Sequence, residues 1–365
     1  MNQLFSPVPL GPYTLNHRIV MAPLTRMRAS EGALPNAMMA EYYRQRASQG
    51  GLIISEATFV REDGNGYLGA PGIHSAQQAA EWKKITDAVH AKGGRIFLQL
   101  WHVGRQSHSD LQPDGGQPVA PSEVAHEGVI FTDKGWGPTS PARALSAADI
   151  ASLVDAYRLA TQRAIDAGFD GVEVHAANGY LLDQFLQDGS NVRGDAYGGS
   201  IENRSRLLLE VVEAAAAVIG SSRVGVRLSP SSSFGGMHDS DPEALFVYLA
   251  QQLDRLNLAY LHVIEPRVQG SEADPSRSQE PVAARLLRRH FKGLLLAAGG
   301  FTAQSAEAIL KAGEADMVAF GRDFIANPDL PFRIRGKLAL TPYNRDTFYG
   351  GTAAGYTDYP YHPAG

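Results

Sequence analysis

Residues 146–180 read SAADIASLVDAYRLATQRAIDAGFDGVEVHAANGY. A helical pattern over 146–167 passes through Gly168, runs into the apolar stretch GVEVH (171–175) and ends in a polar turn. A glycine at a helix end takes the left-handed conformation that closes the helix and begins a short connection. A short, near-continuous apolar run suits a strand buried on both faces of a parallel sheet. The same handover recurs at AKGGRI and KAGEADMV, so the unit is repeated along the chain.

Worked outward from there, candidate strands lie at 18–22, 51–57, 95–101, 171–175, 223–229, 259–264, 293–299 and 316–321. Helical patterns at 37–48, 75–92, 201–219 and 302–312 alternate with them, and Ser75 with Gln78 forms a capping-box pattern. Eight such units predict an α/β fold, a TIM (β/α)8 barrel, because an open doubly wound sheet usually needs only about six strands. The stretch 102–143 is too long for an ordinary βα connection and is rich in Gly, Pro and Ser, which predicts a capping insertion after strand 3. The tail after Pro342 is expected to cross the same barrel mouth. No linker separates a second domain, so residues 1–365 are expected to form one barrel domain with 102–143 as its cap.

Composition narrows the chemistry. The chain is 44% hydrophobic and 19% charged, as a globular protein should be. A net charge of -5 and a pI near 6.1 argue against nucleic acid or an anionic membrane as partner. No stretch reaches the ~18 apolar residues of a membrane span, and the Pro-broken N-terminus does not read as a secretory signal. A cytoplasmic monomer or homodimer acting on small molecules is the expectation. The absence of cysteine excludes disulfides, Cys-ligated zinc, iron–sulfur clusters and thiol nucleophiles. His102 and His108 have no carboxylate cluster nearby, so no metal site is expected. EYYRQR (41–46) reads most simply as a helix surface.

In such barrels function sits where the strands end. Glycines after strands seven and eight, Gly299, Gly300 and Gly321, allow backbone N–H groups to approach a phosphate, and Arg322 can add bidentate charge. Arg227 lies between apolar neighbours and needs an anionic or acceptor-rich partner, either an internal Glu173 or an electron-rich ring edge such as that of a reduced flavin. Gln99 and Thr25 are placed to contact the same ring. The HAANGY turn offers N–H donors from His175 and Asn178 that can polarise one substrate oxygen, and Tyr180 suits protonation of a basic carbanion.

The motifs MAPLTRMRA, EYYRQRAS, GLIISEAT, FLQLWHVGRQSH, HAANGYLLDQFL, YGGSIENRSRLLLEV, AFGRDFIANPDL and TFYGG…GYTDYP resemble the old yellow enzyme family from about residue 3 to 360, in unchanged order. The resemblance implies a barrel that binds FMN non-covalently and accepts hydride from NADPH or NADH. Flavin N5 then passes it to the β-carbon of an enone, enal, maleimide or nitroalkene, in a ping-pong cycle that extends to nitrate esters or nitroaromatics. It casts Pro23, Leu24 and Ala57 as backbone contacts to the ring and Thr25 as the partner of a flavin carbonyl. Gln99 and Arg227 become pyrimidine-edge ligands, and Gly299, Gly300, Gly321 and Arg322 the phosphate cradle. His175 and Asn178 become the substrate-oxygen pair and Tyr180 the proton donor, with Tyr67, Trp101 and Tyr349 lining the substrate pocket. Threonine at position 25 implies the branch of the family that lacks a cysteine there. The competing readings are another FMN barrel that oxidises hydroxy acids, and a phosphate-ligand-binding barrel without redox activity.

Overall fold

All eight predicted runs form strands and pair in parallel in chain order in the computed structural model, which describes residues 3–363 apart from Ser271 and Pro281. They are β1 (Ile19–Met21), β2 (Leu52–Ile54), β3 (Arg95–Trp101), β4 (Gly171–Ala176), β5 (Val224–Leu228), β6 (Tyr260–Ile264), β7 (Leu295–Ala298) and β8 (Met317–Phe320). β3 pairs with β4, and β8 returns to pair with β1, so the sheet closes into a barrel. Burial on both faces explains the apolar runs: β1, β2, β4, β6, β7 and β8 have no exposed residue.

The intervening helices start and stop where their chemistry dictates. Ser75 and Gln78 form a reciprocal capping box at Ala76–His90, and Ser146 with Asp149 does the same at Ala147–Asp166. Gly93, Gly168 and Gly313, at the three repeated handovers, have φ of 70°, 84° and 70°. A Cβ is disfavoured there, which is why the motif keeps glycine. No helix among the described residues is long and apolar enough to cross a membrane.

The barrel is filled, not hollow, at one end. Val20, Leu52, Ile54, Phe97, Tyr260, Leu296 and Met317 pack inside it together with Val8, Leu10 and Leu15. Those last three belong to a hairpin, Val8–Leu10 against Tyr13–Leu15, which seals that end and which the prolines of the N-terminus obscured. A two-stranded ribbon is all edge and tolerates a proline's missing donor.

At the opposite end two irregular segments cover the strand termini. The insertion after β3 carries a hairpin, Val129–Thr132 with Gly135–Pro138, and is pinched at its base where Val119–Ala120 pairs with Arg143–Ala144. The C-terminal tail is held by arginines. Arg26 donates to the carbonyls of Phe348 and Gly355, and Arg28 to those of Thr347 and Thr352.

This tail corrects the reading of EYYRQR as a helix surface. Tyr42, Tyr43 and Arg46 are buried: Tyr42 stacks on Tyr356 at 4.1 Å, and Arg46 donates to the carbonyls of Phe324, Ile325 and Tyr356. The motif looks solvent-facing because its cover comes from a segment more than three hundred residues away. Arg46→Ala leaves three carbonyls short of a donor and should cost about 3 kcal/mol or more in a denaturation experiment. Arg44→Ala, which removes only an exposed pair with Glu41, should cost less than about 1 kcal/mol.

Candidate active site

The strand ends enclose a cavity of about 590 Å³, within the usual range for a small-molecule or cofactor site. Its lining includes Pro23, Leu24 and Thr25 after β1, Ala57 after β2, Gln99 of β3, and His175, Asn178 and Tyr180 of the β4 exit. Arg227 of β5, Gly299 and Gly300 after β7, and Gly321 and Arg322 after β8 complete the wall, with Tyr67 and Tyr349 at the mouth. Fifteen of the sixteen predicted site residues thus face one space. The exception is Trp101, which is fully buried behind the wall, stacked on Tyr67 at 5.7 Å and edge-on to Tyr180 at 4.9 Å. It shares the strand face of Gln99, but the Tyr67 loop stands in front of it.

The glycine end is shaped for an anion. Gly299 and Gly300 have φ of 123° and 62°, a backbone that other residues rarely adopt. A Cβ built on Gly300 would come within 3.9 Å of guanidinium nitrogens of both Arg322 and Arg267, so two cations flank this turn. Arg322 makes no ion pair among the described residues and lies over the Tyr343 ring at 5.9 Å.

Arg227 behaves similarly. Glu173, its candidate internal partner, accepts instead from Gln99 Nε2 at 2.7 Å and His262 Nδ1 at 2.8 Å. Arg227 makes no hydrogen bond among the described residues, and its Nε is enclosed without a partner, as is Nδ1 of His175. Buried polar atoms of this kind are costly unless a bound group satisfies them. The cradle, the two free guanidinia and the orphaned polar atoms fit a molecule with a phosphate tail and an acceptor-rich ring edge.

The β4 exit is held rigidly. Asn178 adopts a left-handed φ of 57°, its N–H donates to Ser229 Oγ at 2.7 Å, and its carbonyl accepts from Gln106 Nε2. Gly179 N–H donates to Asp183, whose carboxyl is pushed up to about 6 by burial. Sequence reasoning missed these supports, which come from three separate segments. Burial and the neighbouring Arg227 hold the His175 imidazole well below 6.5, so the ring is neutral and donates a single hydrogen. Burial and the nearby Tyr67 push the Tyr180 phenol well above 10.0, so it keeps its proton. The two hydroxyls lie 3.2 Å apart.

A neutral His175 and a protonated Tyr180 give a pH prediction. A histidine pKa lowered by folding places its protonation below the working range. Protonation of His175 should therefore leave no inflection in substrate KM near pH 6.5. An inflection near pH 6.5 that disappears in His175→Asn would contradict this assignment.

Val129 and Trp136 of the cap hairpin, Phe234 of the β5 exit and Tyr343 and Phe348 of the tail also line the cavity. None was legible in the sequence, since Phe234, Tyr343 and Phe348 sit in irregular backbone and the hairpin of Val129 and Trp136 is too short to show a period; the only hint was an aromatic flanked by glycines in GWG (135–137).

A closed parallel barrel with a glycine–arginine anion cradle at strands seven and eight, and an unpartnered arginine over its mouth, defines a flavin-nucleotide-binding TIM-barrel oxidoreductase. Residues 3–341 match the NADH:flavin oxidoreductase / NADH oxidase family, and the chain belongs to it; its solved relatives include old yellow enzyme homologues. It is similar to morphinone reductase, solved in complex with tetrahydroNAD, at 50% identity and a TM-score of 0.91, covering 98% of this chain and 97% of that one. The old yellow enzyme homologue of Zymomonas mobilis is 47% identical with a TM-score of 0.93, covering 98% and 99%. 12-oxophytodienoate reductase 7 of Oryza sativa subsp. japonica is 45% identical, over 98% of this chain and 94% of the relative. The protein is thus an NAD(P)H-dependent, FMN-containing ene-reductase of the old yellow enzyme family.

Proposed function

We propose that the enzyme reduces the C=C bond of alkenes activated by a carbonyl or nitro group: enones, enals, maleimides and nitroalkenes. The observation that carries this reading is the convergence of His175, Asn178 and Tyr180 on the cavity that also holds Arg227 and the glycine cradle. FMN, when bound, supplies the two-electron exchange between the nicotinamide and the alkene. Gly299, Gly300, Gly321 and Arg322 would hold its phosphate, Gln99 and Arg227 its pyrimidine edge. Pro23, Leu24 and Ala57 would run along the ring, and Thr25 would donate a hydroxyl to it.

The remaining chemistry belongs to the chain. His175 and Asn178 donate to the substrate's carbonyl or nitro oxygen, drawing electron density from the double bond and stabilising the enolate or nitronate. Tyr180 delivers a proton to the α-carbon, and its contact with Tyr67 orients the hydroxyl. Tyr349, Trp136 and Phe234 give the mouth an apolar rim. That rim favours acceptors with a hydrocarbon body over small polar ones.

The test is product analysis with NADPH and 2-cyclohexenone, N-ethylmaleimide or β-nitrostyrene under nitrogen. Saturated product should form in step with NADPH consumed. Recovery of unchanged alkene from all three would contradict the substrate assignment.

A further inference from the structure

Beneath the cavity floor lies a polar group that the mechanism above does not use. Glu173, on β4, is completely enclosed; in register it faces Gln99 of β3 on one side and Gly225 of β5 on the other. Its two oxygens are taken by Gln99 Nε2 and, across β5, by His262 Nδ1. His262 is also fully buried, stands in register with Arg227, and has its Nε2 enclosed without a partner. An ionised carboxylate inside a barrel is expensive, and simple packing of this layer would be served better by apolar residues.

Two consequences follow from elementary chemistry. A carboxylate can only accept, so Gln99 must turn its NH₂ group toward Glu173, which leaves Oε1 as the atom it offers to the cavity. A negative charge also stands below Arg227, the cation that makes no hydrogen bond among the described residues. The carboxylate is kept ionised by His262 and Arg227, while burial keeps His262 neutral. The layer therefore carries one anion under one cation.

We propose that Glu173, steered by His262, is a positioning residue that fixes the amide of Gln99 and offsets the charge of Arg227, setting how strongly the site favours reduced over oxidised FMN. This rests on the FMN placement proposed above. Arg227 alone would stabilise the negative charge of the reduced ring; Glu173 moderates that preference and keeps the bound flavin a competent donor.

The test compares Glu173→Gln and Glu173→Asp by FMN titration of the apoprotein and by the two-electron midpoint potential of the reloaded enzyme. Glu173→Gln removes the charge and should favour reduced FMN about tenfold more than the wild type does, a rise of ~30 mV for a two-electron couple. Glu173→Asp keeps the charge but shortens the reach to Gln99. It should bind oxidised FMN several-fold more weakly at an unchanged potential. A folded, loaded Glu173→Gln with the wild-type potential overturns the proposal. If Glu173→Gln does not fold, Glu173→Asp decides alone: wild-type affinity or a shifted potential overturns it. A wild-type apoprotein that takes up no FMN would instead overturn the cofactor placement.

Discussion

Tyr180→Phe should reoxidise with 2-cyclohexenone about 10²–10⁴-fold more slowly than the wild type, while its reduction by NADPH changes little. The phenol stands edge-on to His175 with ring centroids 5.3 Å apart, and its burial keeps it protonated through the neutral range. Among the described residues its hydroxyl makes one contact, 3.2 Å to Tyr67, so the phenylalanine variant should fold normally. The half-reactions separate because only the alkene needs a proton on carbon; the nicotinamide does not. Stopped-flow absorbance reads the two steps independently. Equal slowing of both would mean that Tyr180 shapes the cavity rather than donates a proton. Full retention of alkene turnover would move the donor to Tyr67 or to water.

The second large effect is expected from removing both oxygen-binding donors. Asn178 sits at a φ of 57°, where alanine is strained, so the variant of choice is His175→Ala with Asn178→Gly. Loss of one preorganised donor in a desolvated site costs about 10²–10³ in rate. The pair acts on one oxygen, so their losses will not simply multiply. Unlike Tyr180→Phe, this variant should slow both half-reactions if, as the proposed cycle requires, the carboxamide oxygen of the nicotinamide takes the same donors before the alkene does. FMN content should be unchanged, since neither side chain belongs to the phosphate cradle or the pyrimidine edge. A variant impaired only toward the alkene would place the nicotinamide elsewhere in the cavity.

How far the sequence carries depends on whether a feature is periodic. The eight strands were legible because parallel strands buried on both faces leave uninterrupted apolar runs, as in GVEVH and RIFLQLW. The convergence of Gly299, Gly300, Gly321 and Arg322 on one cavity was legible because they fall at two adjacent strand ends. Arg227 announced itself by being charged in a buried strand, yet its partner could not be chosen; only the coordinates show Glu173 committed to Gln99 and His262. Trp101, cast as pocket lining by the family resemblance, lies behind Tyr67, because a motif assigns a role but not what stands in front of the side chain. EYYRQR was misread for a related reason: Tyr42 and Arg46, which look solvated on a helical wheel, are covered by the distant tail. Of the cavity's apolar rim, Phe234, Tyr343 and Phe348 lie on irregular backbone, and Val129 and Trp136 on a hairpin too short to carry a local signal.

The measurement that reaches the centre of this account is an anaerobic absorbance trace of the purified protein. A bound yellow chromophore should be present in about one copy per chain, bleach on addition of NADPH, and recover its colour when 2-cyclohexenone is added. A colourless protein that does not take up FMN, or a flavin that bleaches yet recovers only with oxygen and with none of the activated alkenes, would contradict it.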